Sequence, residues 1–86
     1  NLSRVEDADR AFRQALERGY PRLSSLSALA NLHLFDGYWD GGAKRMDGVR
    51  RAKPYLDALV AEFPDSGRTA LLRFYYEAAV DNAFLE

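Results

Sequence analysis

His33, Asp36 and Asp40 stand at a His–x2–Asp–x3–Asp spacing that could bring an imidazole and carboxylates together. Such a set could relay protons or begin a metal shell, because imidazole titrates near neutral pH and both groups ligate divalent ions. A metal asks for more converging ligands, and the chain has 1 histidine. The favoured reading is therefore a histidine packed between helices, and no cofactor is expected. Ser24, Ser25 and Ser27 have no histidine at a persuasive spacing, so they read as helix caps rather than nucleophiles. Lys44, Arg45, Arg50, Arg51 and Lys53 form a basic cluster broken by Asp47. It could meet an acidic partner or a phosphate, but it reads better as the solvated start of a helix. No phosphate loop accompanies it, since Gly41-Gly42-Ala43-Lys44 lacks the required spacing. Tyr38 and Trp39 lie among glycines. They could anchor a partner, as aromatic residues do at interface hot spots. The preferred alternative folds Trp39 back over Leu34 and Phe35, because fully water-exposed tryptophan is uncommon.

The elements that would position these residues are helical. Ala52, Leu56, Leu59, Val60 and Phe63 recur at steps of three and four and so share a face, and Pro64 stops the helix. The earlier stretch Ala8, Phe12, Ala15 keeps the offsets of Ala52, Leu56 and Leu59, again with a proline beyond. The spacing predicts a first helix over 4–18, capped by Ser3 with Glu6 and ended by Gly19 in a left-handed turn. A second helix starts near Ser24 or Ser25 and runs to Asp36. Its apolar residues Leu26, Leu29, Ala30, Leu32, Leu34 and Phe35 nearly encircle it, which implies contact on more than one side. Residues 37–48 hold four of the chain's 6 glycines and read as a loop. Pro54 costs little in a first turn, which places the start of the third helix near Arg50 to Ala52; a helix that began at Gly42 would have to be kinked by Pro54. A fourth helix over 68–84, capped by Asp65 or Ser66, is apolar enough to want a cover.

Composition sets bounds on the rest. The 86 residues allow one domain, and a hydrophobic fraction of 48% is that of a globular chain. A net charge of −1 argues against a general nucleic-acid binder. The absence of cysteine excludes disulfides and thiolate metal sites, and it fits the cytoplasm as well as a secreted or periplasmic location. No apolar run approaches the ~20 residues of a membrane span. The chain opens at Asn1 without an initiator methionine or a signal peptide, and we read it as a processed product or an excised piece.

With four helices laid out, the sequence resembles the tetratricopeptide repeat family, which pairs antiparallel helices in units of about 34 residues. Leu26, Leu29 and Ala30 match the large, Leu and small positions of that family's first helix, and Gly37 falls at its inter-helix turn. Ala8, Phe12, Ala15 and Ala52, Leu56, Leu59, Pro64 match its second helix. The chain departs from the pattern in three respects. The interval from Ala8 to Ala52 is roughly ten residues too long, His33 replaces an aromatic residue, and the order begins and ends halfway through a repeat.

The resemblance implies an all-α, tetratricopeptide-like solenoid, an antiparallel array of four main helices in a single domain over 1–86. It implies a concave groove lined by Ser27, Asn31, Leu34 and Phe35, with Arg73 as the available cation for an incomplete carboxylate clamp. The expected function is a non-catalytic module that binds a protein partner in this groove. The alternatives are an internal or self-associating segment joined through exposed terminal helices, and a small-molecule-binding accessory subunit. No nucleic acid is expected as a partner.

Overall fold

Gly19 adopts φ +83°, the left-handed conformation its lack of a Cβ permits. Tyr20 N–H donates to the Ala15 carbonyl at 3.0 Å and Gly19 N–H to that of Leu16 at 3.2 Å, a Schellman closure of the first helix. A computed structural model describes residues 2–36 and 42–85, with side chains over 4–36 and 46–81. Its helices are α1 (Leu2–Glu17), α2 (Arg22–Asp36), α3 (Gly42–Glu62) and α4 (Gly67–Leu85). Among the described residues there is no strand, so the protein is all-α. No helix of the described residues is long and apolar enough to cross a membrane.

Several boundaries correct the sequence reading. Ser3 lies within the first turn of α1 rather than at its cap, and α2 begins at Arg22, ahead of Ser24 and Ser25. Ser66 does cap α4: its Oγ accepts the Arg68 N–H at 3.2 Å, and its carbonyl accepts that of Ala70 at 3.1 Å. The largest difference is α3, which starts at Gly42 and carries Pro54 in its interior. Burial explains the extension: Gly48 and Val49 are buried and Met46 is half-buried, so packing outweighs the poor helix propensity of glycine. Pro54 removes the N–H that would bond the Arg50 carbonyl. Both residues are exposed, which leaves water as the replacement partner.

Among the described residues α1 packs on α2 alone, α2 on α1, α3 and α4, and α3 on α2 and α4. The array is 39 × 32 × 15 Å between Cα atoms and is not closed by α1 against α4. One core joins Leu26, Ala30 and Leu34 of α2, Val49, Ala52, Leu56 and Leu59 of α3, and Leu72 and Ala79 of α4. The near-encircling apolar pattern of α2 thus has its physical cause in three neighbours.

The shared spacing of α1 and α3 does not give them the same burial. Ala52 and Leu59 are fully buried, whereas Ala8, Phe12 and Ala15 are only half-buried, because α3 lies between two helices and α1 against one. Val60, expected on the buried stripe, is 37% exposed, since a helix turns about 100° from Leu59 to Val60. Nor does α4 lack a polar face. Arg73, Glu77 and Asp81 are exposed along it, and Thr69, Leu72 and Ala79 are turned inward.

Leu59→Ala should lower unfolding free energy by about 3 kcal/mol and Val60→Ala by under about 1 kcal/mol, as measured by urea denaturation. Equal losses would contradict the observed helix phase. Pro54→Ala should raise the same free energy by about 1–3 kcal/mol, because the exposed helix regains a hydrogen bond. A loss would show that α3 depends on the proline's backbone geometry.

Candidate functional site

α2 and α4 lie side by side and leave a groove of about 320 Å³ between them. Ala28, Leu71, Leu72 and Tyr75 give it an apolar lining, and Asn31 and Arg68 bring polar groups to it. Leu71 stays 51% exposed and the neighbouring Phe74 65% exposed. Phe35 meets Tyr75 edge-on with ring centroids 5.4 Å apart, and Phe74 tilts against the same ring at 5.9 Å. Arg68 donates to Ser24 Oγ at 3.3 Å and has no carboxylate partner among the described residues, so its charge remains available at this edge.

The sequence-predicted groove residues are only partly brought together. Ser27 and Asn31 do line the groove, although the Ser27 hydroxyl is buried with no hydrogen-bond partner. Phe35 is 39% exposed beside it. Leu34 is corrected: at 2% exposure it belongs to the core, because it points to the face of α2 that meets α3 and α4. Arg73 is also corrected, since it lines a separate cleft with Lys53, Asp57, Val60 and Glu77. The arginine that stands with Asn31 is Arg68. Tyr38, Trp39 and Asp40 lie outside the described residues.

A second cleft, of about 500 Å³, opens between α1 and α3 over α2. On its floor His33 stacks on Tyr55, with centroids 6.0 Å apart and planes 11° apart. The Asp9 carboxylate lies 2.6 Å from His33 Nε2 and forms an ion pair with Arg13, whose Nε lies 2.7 Å away. His33 therefore pairs with α1 and not with Asp36, which instead accepts Arg51 at 3.1 Å. The Asp9 carboxylate can only accept, so Nε2–H donates to it, and Nδ1 is buried without a partner. His33 is 5% exposed. Among the described residues no cluster of histidine, aspartate and glutamate is gathered that could hold a metal ion. Burial, followed by the negative charge of Asp9, raises the Tyr55 hydroxyl above its ordinary pKa of 10.0, and Arg13 opposes the shift.

Three members of the basic cluster are paired on its own surface, and the side chains of Lys44 and Arg45 lie outside the described residues. Arg50 pairs with Asp47 at 3.1 Å, Arg51 with Asp36, and Lys53 with Asp57 at 2.9 Å. Across α2 and α3, Arg22 grips Glu62 through two parallel bonds at 2.5 and 2.7 Å. These bonds raise the arginine's pKa and lower the glutamate's.

Sequence reasoning missed Asp9 and Arg68. Each acts across a helix boundary, and neither carries a local motif that names its partner. No family model matches the chain, and neither a curated protein nor a solved structure matches it.

Asp9→Ala should cost about 2 kcal/mol in a denaturation experiment, because it strands a buried His33 nitrogen. Asp7→Ala, which breaks only the exposed pair with Arg10, should cost less than about 0.5 kcal/mol. The raised pKa of Tyr55 favours the protonated native state. Its stabilising contribution is whole below the unfolded value and is lost as pH rises through the folded value. Stability of the parent should therefore fall more steeply above about pH 10 than that of Tyr55→Phe, and parallel profiles would contradict this.

Proposed function

We propose that this chain is a non-catalytic interaction module, a tetratricopeptide-like helical array whose α2–α4 groove holds an extended segment of a protein partner. The observation that carries the reading is the groove: exposed Leu71 stands with the polar hooks Asn31 and Arg68, and exposed Phe74 lies against the Tyr75 ring that lines it. Apolar side chains of a partner would be removed from water there. Asn31 and Arg68 would fix its backbone and its acidic groups.

The packing order supports the repeat reading. Each helix lies on its sequence neighbour, and α2 also lies on α4, as in a stack of helix pairs. Within such a stack the spacing of Leu26, Leu29 and His33 on α2 recurs as Thr69, Leu72 and Tyr76 on α4. By the same register Ala30 and Leu34, buried in α2, become exposed Arg73 and Glu77 in α4. A helix docking on α4 as α3 docks on α2 would have to bury both charges at substantial cost. The outer face of α1 is likewise charged, with Arg4 and Asp7 exposed. These charges disfavour self-association through the terminal helices and leave the groove as the better docking surface.

The test is selection of binding peptides from a random displayed library, followed by fluorescence anisotropy with a labelled selected peptide. Asn31→Ala with Arg68→Ala should weaken binding about tenfold or more, and Phe74→Ala should weaken it similarly, with helicity by circular dichroism unchanged. Arg73→Ala should bind like the parent. Unchanged affinity in the Asn31/Arg68 variant, or loss only with Arg73→Ala, would overturn the assignment of the groove.

A further inference from the structure

We draw no further inference here: the strongest candidate, the polar cleft between α1 and α3 above the His33–Tyr55 ring stack, carries nothing, because Arg13 and Arg51 already neutralise its carboxylates Asp9 and Asp36 and the unpartnered His33 Nδ1 is buried beyond a ligand's reach.

Discussion

The fold depends on the burial of one stripe of α3, formed by Val49, Ala52, Leu56 and Leu59, between α2 and α4. Ala30 and Ala52, both fully buried, keep the facing surfaces of α2 and α3 low, and the leucines around them fill the remaining space. Fixing α3 on α2 also fixes where α4 can lie, since Leu72 and Ala79 join the same core. The groove is a consequence of this packing. α4 is held by its inner residues, so Leu71 lines the groove beside α2 and Phe74 is turned to water.

Polar contacts refine this arrangement more than they create it. Arg22 and Glu62 clasp α2 to α3 at the surface, where an ion pair contributes little to stability but limits sliding. The contact of Asp9 with His33 is more consequential because both groups are largely withdrawn from water. It ties α1 to α2 at a point where apolar burial is incomplete, and the Tyr55 ring ties the same histidine to α3.

The sequence was legible where a residue's own chemistry forces the local backbone or where one face is clearly apolar. Gly19 in a left-handed turn, Ser66 at a cap, and Ala52, Leu56 and Leu59 on an inner face are of this kind. The start of α3 was not legible, because Gly42 and Gly48 argue locally against a helix that burial of Gly48 and Val49 sustains. Leu34 and Phe35 are adjacent and similar in character, yet one is buried and the other sits beside the groove, so the decision rests with neighbours on other helices. The same limit hid the pairing of Asp9 with His33 and the position of Arg68 beside Asn31. On α4 the residue that stands in the groove with Asn31 is Arg68, whereas Arg73, named from the sequence, lines another cleft.

One consequence concerns the order in which the array comes apart. Among the described residues α1 rests on a single neighbour and contributes no member to the buried core, whereas α3 is flanked on two sides. Local opening costs least where the fewest apolar contacts are broken. The first excursion from the native state is therefore the peeling of α1, which frees the side of α2 that carries His33 while the α2–α4 surface stays assembled.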